Sequence, residues 1–324
     1  MGSGRSESWN PGTSVIICCK NSATRLEETL KALSRQKNLT EEQRELIIVD
    51  NGSTDDTVPV ARRIWTQLGA PFPIRIVSEL LEGQALARRA GVLASKFDTG
   101  VFCDDDNWLA SDYLDIARVL IASQKGTGVV GGRGIAASSA GIPDWFVAFE
   151  EFYAVGRQSS VDGDVSHKGH VWGAGMVVRL DLLRAVYESG VLPFVPGRTG
   201  DSLVAGDDIE VCLWLIFAGV RIHYSDTLLF QHFMPPERLS EDYLERFTNT
   251  PASPMVKAYM NYFGWKYRGR FLRELQPSGN PLRELLRALR LNRGAVESLY
   301  RLLLSPRTTL TVARIERRIR SISN

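Results

Sequence analysis

Short apolar runs alternate with amphipathic stretches along the first 135 residues. Five runs of mostly apolar and small residues predict buried strands: 14–20, 45–50, 74–79, 100–105 and 128–134. Three stretches between them carry apolar residues at helical spacing: 25–36, 83–96 and 111–124. A further helix is expected after Thr54–Thr57, because the turn Asn51-Gly52-Ser53 ends the second strand and Pro59 suits a first helical turn. This alternation predicts an α/β fold with a mostly parallel central sheet flanked by helices.

Polar residues follow three of these strands where each strand ends. They are Lys20-Asn21, Asp50-Asn51 and Asp104-Asp105-Asp106. The carboxyl ends of parallel strands lie at one rim of the sheet, and ligands of such sheets bind outside that rim. The sequence therefore predicts that these side chains converge on a binding site.

The pattern weakens after about residue 136, where Gly, Ser and aromatic residues dominate. Residues 206–220 then predict a largely buried helix that begins with acids, and residues 221–232 predict a strand. Beyond Pro235-Pro236 the chain is helical in pattern and increasingly basic. We expect four parts: a tail (1–12), a first domain half (13–134), a second half (135–238) and a basic helical C-terminal extension (239–324).

The net charge of +2 conceals an asymmetry between the two ends of the 324-residue chain. From Pro251 onward there are 15 Lys+Arg against 4 Asp+Glu, whereas the rest carries 24 against 33. Leu282, Leu285 and Leu289 share one face there, as in a basic amphipathic helix. Such a helix is expected either to lie on an anionic membrane surface or to pack on the acidic domain. No nucleic-acid-binding motif accompanies the basic residues.

Cysteine usage and hydropathy bear on the compartment. No run approaches the roughly 18 consecutive apolar residues of a spanning helix, and no apolar secretory segment is evident. The cysteines lack CxxC spacing and sit in apolar surroundings, which favours free thiols over a disulfide framework or zinc site: Cys18, Cys19, Cys103 and Cys212. We therefore expect a cytoplasmic protein, or one peripheral on the inner face of the membrane.

Three adjacent carboxylates at Asp104-Asp105-Asp106 repel one another at the end of a buried strand. A divalent cation would relieve this repulsion, and Mg²⁺ and Mn²⁺ prefer carboxylate and phosphate oxygens. The simpler interpretation is an exposed acidic turn that caps the next helix. Asp50 has the same two interpretations, a partner for a nucleobase or ribose hydroxyl or an ordinary turn residue.

Five segments, in order, resemble motifs of family 2 of the inverting glycosyltransferases: SVIICCKN, IIVDNGSTDDT, GQALARRAGVLASKFDTGVFCDDDNWL, GAGMVVRLDLL and GDDIEVCLWLIFAG. Together they cover roughly residues 14–238. The resemblance implies the GT-A fold and a nucleotide-diphosphate sugar as donor, with UDP as the family's commonest nucleotide. It also implies a divalent metal, Mn²⁺ or Mg²⁺, and a hydroxyl acceptor on a glycan or lipid-linked glycan.

The same resemblance implies roles on the donor side. Asp50 would contact the base or ribose, and Asn21 would lie in the same pocket. Asp104 and Asp106 would be the outer members of a DxD motif, with Asp106 the better metal ligand and Asp104 nearer the ribose. Asp105 stands at the motif's variable middle position.

On the acceptor side, the resemblance makes Asp208 the base that deprotonates the acceptor hydroxyl, with Asp207 beside it in the substrate site. His232 would help to hold the metal or the diphosphate, although a surface histidine at a strand end is the alternative. Trp172 is a candidate for stacking on an acceptor sugar, although clustered aromatics are more often core.

Two departures from the family pattern bear on these roles. Most relatives have Glu where Asp207 stands, and the QxxRW motif and membrane helices of processive members are absent from the sequence. Two other functions stay open. A nucleotidyltransferase would normally show a Gly-rich phosphate loop after the first strand, where this chain reads CCKNSATR. A non-catalytic carbohydrate-binding relative would not need Asp104, Asp106 and Asp208.

Overall fold

The computed structural model describes residues 9–248, apart from 39, 124–125, 189–191, 194, 200–204 and 218. Nine strands occur in this part: β1 (Thr13–Cys19), β2 (Arg44–Asp50), β3 (Ile74–Ser78), β4 (Thr99–Phe102), β5 (Asn107–Leu109), β6 (Thr127–Ala137), β7 (Gly163–Asp164), β8 (Val177–Arg179) and β9 (Arg221–Phe233). The α-helices described are α1 (Leu26–Ser34), α2 (Thr57–Gln67), α3 (Gln84–Ala94), α4 (Tyr113–Ser123), α5 (Leu180–Glu188), α6 (Asp207–Phe217) and α7 (Glu241–Thr248). Short 3₁₀ helices span Glu41–Gln43, Asp144–Tyr153, Ser166–Lys168 and Pro236–Leu239.

The strands form one mixed sheet in the order β3-β2-β1-β4-β8-β6-β9-β5, with β7 paired to β9. Strands β3, β2, β1 and β4 run parallel to one another, and β6 runs parallel to β9. Strand β8 is antiparallel to both β4 and β6, and β5 is antiparallel to β9. The predicted α/β architecture with a mostly parallel sheet is therefore confirmed.

Both faces of the sheet are covered at its central strands, which explains why β1, β2 and β4 are mostly apolar runs. Along β1, Ile16 packs with α3, α5 and α6 in one core cluster, whereas Val15 and Ile17 pack with α1, α2 and α4 in the other. Helix α3 lies unusually close to the sheet at Gly91. A Cβ at this glycine would lie 2.4 Å from Ile16 Cγ2, so only glycine permits this approach.

The pattern of the sequence located most elements of the first half. In the second half it located α6 and β9, which were predicted at 206–220 and 221–232, but not the elements that precede them. The fourth strand ends at Phe102, so the three acids follow the strand instead of closing it. Strands β5 and β8 have three residues each and α5 follows β8 directly, and none of the three was predicted. Strands this short carry too little alternation to be recognised.

The chain beyond residue 238 begins by packing onto the domain. Leu239, Tyr243 and Leu244 join a small apolar cluster with Phe146 and Tyr153. The basic segment from Pro251 onward, with its two expected positions, lies outside the described residues, and so does most of the predicted tail (1–12). None of the helices that the structure describes combines the length and the hydropathy needed to cross a lipid bilayer.

Candidate active site

A cleft of about 870 Å³ opens at the carboxyl ends of β1, β2 and β4. Its walls come from both halves of the domain. Lys20, Asn21 and Asn51 line it at the ends of β1 and β2, the acids that follow β4 form its floor, and the start of α6 also lines it. The convergence expected from the strand ends is therefore observed for residues of three strands.

Asp104, Asp106 and His232 form the acidic floor of the cleft. One ligand atom from each lies within 4.8 Å of the other two. The sheet register explains the arrangement, because β5 begins directly after the acids and pairs Asn107 with His232 of β9. The backbone N–H of Phe233 also donates to the carbonyl of Asp106 at 2.9 Å.

The imidazole of His232 is oriented by a backbone carbonyl. Its Nδ1 lies 2.7 Å from the carbonyl oxygen of Tyr153, which can only accept a hydrogen bond, so Nδ1 carries a proton. Its Nε2 faces Asp106 Oδ1 at 3.3 Å. A backbone carbonyl that holds Nδ1–H leaves Nε2 directed at the acids of the cleft, and this geometry is typical of metal-binding histidines.

Asp106 is buried and strongly polarised by its neighbours. Burial alone would raise the pKa of its carboxyl, but the positive charges of His232 and Arg238 outweigh burial and hold that pKa well below its ordinary value. Arg238 Nη1 lies 2.9 Å from Asp106 Oδ2. Asp106 is therefore held as a carboxylate, the form that binds a cation.

Asp105, the middle acid, points away from Asp104 and Asp106. Its carboxylate pairs with Arg25 at the start of α1, with 2.6 Å between Nη2 and Oδ2. Its carbonyl accepts the hydroxyl of Thr29 at 2.8 Å. Burial and the charge of Asp106 raise the pKa of Asp105, against the effect of Arg25. This residue joins α1 to the floor of the cleft, which fits its position as the variable member of the motif.

Asp207 and Asp208 have different environments although they are adjacent. Asp207 is buried against Arg88, whereas Asp208 is half-buried and lines the cleft. Burial is the main cause that raises the pKa of Asp207, and the charges of Asp208 and Asp104 add to it. Asp208 accepts the backbone N–H groups of Gly173 at 2.9 Å and Ile209 at 2.8 Å, which fixes its carboxylate at the helix start.

Arg88 on α3 was not predicted as a site residue, and it links the two acidic groups. One guanidinium nitrogen contacts Asp207, and the other lies 3.6 Å from Asp104 Oδ1. The guanidinium also stacks over Phe102, with 5.2 Å from Cζ to the ring centroid. A signal existed in the sequence, because helical spacing places residue 88 on the face of α3 that packs on the sheet. An arginine there requires buried acidic partners.

The remaining predicted residues lie in or beside the cleft. Asn21 lines it, and its Oδ1 accepts the N–H of Thr54 at 2.8 Å. Trp172 also lines it, next to Gly173. Asp50 ends β2 behind Asn51 but is not among the lining residues, and its Oδ1 accepts the N–H of Ser53 at 3.1 Å.

The expected free state of the cysteines is also observed. All are unpaired, and three are buried whereas Cys18 is half-buried at the cleft: Cys18, Cys19, Cys103 and Cys212. Burial raises the pKa of the Cys18 thiol to about 12, so this thiol is protonated near neutral pH.

The fold is that of GT-A glycosyltransferases. S. aureus TarS residues 1–349, solved in complex with UDP-GlcNAc, matches with a TM-score of 0.54 and 13% identity, over 96% of this chain and 83% of that chain. The mannosyltransferase PcManGT from Pyrobaculum calidifontis, in complex with GDP-Man and Mn²⁺, matches with a TM-score of 0.55 and 16% identity, over 97% and 86% of the two chains. At these identities the likeness shows the fold alone.

The family follows from the sequence. The model of glycosyl transferase family 2 matches residues 14–184, which is more than half of the chain. The chain therefore belongs to glycosyl transferase family 2, and it is a glycosyltransferase. A Bacillus subtilis (strain 168) protein named as a glycosyltransferase, EpsH, is 26% identical over 105 residues. That match spans 32% of this chain and 29% of the length of EpsH.

Proposed function

We propose that this protein transfers a sugar from a nucleotide-diphosphate sugar to an acceptor hydroxyl, with inversion at the anomeric carbon. The observation that carries the proposal is one cleft with two acidic groups of different character. Asp104, Asp106 and His232 form a cation-binding cluster at its floor, and Asp208 stands at a helix start in its wall. An inverting transfer needs these two elements, a counter-charge for the leaving diphosphate and a base for the acceptor.

The chemistry of the floor fits Mn²⁺ or Mg²⁺. Two carboxylates and an imidazole whose Nδ1 is committed to a backbone carbonyl are suitable ligands for a divalent ion that also binds phosphate oxygens. Such an ion would be held by Asp104, Asp106 and His232, and it would neutralise charge on the diphosphate. Two structures of the same fold support this choice, since PcManGT is in complex with GDP-Man and Mn²⁺, and GalNAc-T7 with UDP, GalNAc and Mn²⁺.

Asp208 is the better of the two adjacent acids for the catalytic base. Both acids line the cleft, but Asp208 is only half-buried, whereas Asp207 is buried in an ion pair with Arg88. Two backbone N–H groups fix the carboxylate of Asp208, so it can take a proton from an acceptor hydroxyl without moving. Asp207 then acts on the substrate site through Arg88, which it holds beside Asp104.

The polar rim of β1 and β2 is the proposed nucleotide pocket. Asn21 and Asn51 line the cleft there, whereas Asp50 is not among the lining residues. Asp50 would contact a base or ribose from its position next to Asn51. UDP is the default nucleotide, and TarS, in complex with UDP-GlcNAc, supports it. Trp172 lies beside Gly173, the donor to Asp208, and so near the place where the acceptor must enter. We propose a glycan or lipid-linked glycan as acceptor, modified in the cytoplasm or at the inner face of the membrane.

The decisive experiment is a binding panel on the full chain. UDP-, GDP- and dTDP-sugars are each added with and without Mn²⁺, and thermal stability is measured. We expect one nucleotide class to raise the melting temperature, and to do so more strongly with Mn²⁺. Asp106→Asn should lose the metal-dependent part, whereas Asp115→Asn, an acid in the first turn of α4, should retain it. If no nucleotide stabilises the protein in a metal-dependent way, the donor site is refuted.

A further inference from the structure

Asp106 uses both of its carboxylate oxygens within the protein. Its Oδ2 accepts from Arg238 Nη1 at 2.9 Å. Its Oδ1 lies 3.3 Å from His232 Nε2 and 3.2 Å from Asn107 Nδ2. The side chain is 3% exposed, and a carboxylate so removed from water is costly without a close counter-charge. When only protein groups surround Asp106, the guanidinium of Arg238 is thus the permanent counter-charge of its carboxylate.

The same carboxylate belongs to the cluster with Asp104 and His232 that we propose as the metal site. A divalent ion and a guanidinium on one carboxylate would repel each other at close range. The two cations therefore compete for Asp106. The side chain of Arg238 can move away from Asp106, because it is 24% exposed and lines the cleft. It also belongs to a one-turn 3₁₀ helix, Pro236–Leu239.

We propose that Arg238 is an internal substitute for the divalent ion at Asp106, and that metal binding displaces its guanidinium into the cleft. This inference rests on the proposed function. It gives Arg238 a positioning role that alternates between two partners. Before the metal binds, Arg238 neutralises Asp106, and afterwards its guanidinium is free to bind diphosphate oxygens of the donor. Metal and nucleotide should then bind cooperatively, because each favours the displaced position of Arg238.

The test measures Mn²⁺ binding by the full chain without nucleotide, by calorimetry or by the EPR signal of free Mn²⁺. Arg238→Gln keeps hydrogen-bonding capacity and removes the competing charge. We expect its Mn²⁺ affinity to rise roughly tenfold, within the range of coupled binding sites. Arg238→Lys keeps the charge and should bind Mn²⁺ close to the wild-type affinity.

Arg184→Gln is the matched control. Arg184 pairs with Asp98 at 2.6 Å, and the two side chains are 23% and 10% exposed, close to the 24% and 3% of Arg238 and Asp106. Neither Arg184 nor Asp98 lines the cleft. This variant loses a comparable ion pair, so it should change stability without changing Mn²⁺ affinity.

A second measurement addresses the coupling. The affinity for UDP, or for the nucleotide that the binding panel selects, is measured with and without Mn²⁺. In wild type we expect Mn²⁺ to strengthen nucleotide binding, and in Arg238→Gln we expect a smaller enhancement. Circular dichroism checks that each variant is folded. If Arg238→Gln does not fold, the wild-type Arg238 Nη–H signals, assigned by their loss in Arg238→Lys, should exchange faster with water on addition of Mg²⁺.

Unchanged or weaker Mn²⁺ binding by folded Arg238→Gln would overturn the inference and make Arg238 a support of the metal site. Absence of Mn²⁺ binding in both proteins would overturn it as well. Wild-type Arg238 Nη–H signals whose exchange does not change on Mg²⁺ addition would also overturn the inference. These results are separate from the donor panel, which judges the proposed function by nucleotide binding.

Discussion

Arg88 and Asp207 form an ion pair between α3 and α6, and their side chains are only 4% and 7% exposed. The pair lies behind Asp208 and extends through the second guanidinium nitrogen to Asp104 at 3.6 Å. Gly173 leaves room for it, since a Cβ there would lie 2.5 Å from Arg88 Nη2. One buried side chain thus fixes the distance between Asp104 and Asp207.

Removing Arg88 should destabilise the protein strongly. Arg88→Met leaves Asp207 buried without a counter-charge, and loss of one partner of a buried pair costs about 3–5 kcal/mol. Urea denaturation followed by circular dichroism measures the free energy of unfolding. Arg62→Met, at an exposed position of α2, is the control and should change it by less than about 0.5 kcal/mol. A loss of under about 1 kcal/mol in Arg88→Met would show that solvent relieves the unpaired acid.

Asp208→Asn should separate binding from catalysis. An amide cannot take the acceptor proton, so we expect the transfer rate to fall by about 10²–10⁴-fold. Nucleotide affinity should stay within about twofold, because Asp208 is not a member of the cluster formed by Asp104, Asp106 and His232. Donor binding by calorimetry and nucleotide release by chromatography give the two readouts. Global unfolding of Asp208→Asn would instead assign the carboxylate to the helix start, where it accepts two backbone N–H groups.

The same substitution should affect different properties at the two neighbours Asp105 and Asp106. Asp106→Asn removes a ligand of the proposed metal site and should weaken metal-dependent donor binding by about 10–100-fold. Asp105→Asn breaks the pair with Arg25 and should lower stability while metal-dependent binding persists. Thermal shift with and without Mn²⁺ reports both effects. Equal losses of metal dependence would mean that all three acids act together.

Asp226 should contribute to the acid sensitivity of the fold. A hydrogen bond from the Tyr224 hydroxyl, at 2.6 Å, and the charge of Arg157 lower the pKa of Asp226. Because its folded-state pKa is lowered, its contribution is present above its ordinary pKa and is lost as pH falls through the folded-state value. The wild type should therefore exceed Asp226→Asn in unfolding free energy by about 0.5 kcal/mol near pH 7, and this difference should shrink as the pH falls below the ordinary pKa of the carboxyl. Urea titrations of both proteins at several pH values test it, and a difference that grows as pH falls contradicts it.

The sequence predicts the first half of the fold well, because β1, β2 and β4 are buried on both faces and the joining helices are amphipathic. Lys20, Asn51 and Asp104 were placed at one rim from that pattern alone, and the structure places all of them there. The partners of these acids were not predicted. Arg25 pairs with Asp105 across 80 positions of the chain, and Arg238 pairs with Asp106 across 132. Arg88 contacts Asp104 and Asp207, which are 16 and 119 positions away. No local pattern in the sequence records such contacts.

The short strands of both halves were harder to predict for a related reason. The short strands β5 and β8 owe their existence to pairing with β9, β4 and β6, not to their own alternation. His232 illustrates the limit. Its position at a strand end was evident, but its contact with Asp106 depends on the register of β9 with Asn107, and its ring orientation depends on the carbonyl of Tyr153.

The close contact of α3 with the sheet has a consequence for how this enzyme can be altered. Gly91 lies one turn after Arg88 on the same helix, and a Cβ there would lie 2.4 Å from Ile16 and 3.1 Å from Val49. A single methyl group at residue 91 would push the helix outward and carry the guanidinium away from Asp104 and Asp207. Every side chain that lines the cleft would still be present, but the distances between them would change. Gly91→Ala would therefore alter the active site although residue 91 does not line it.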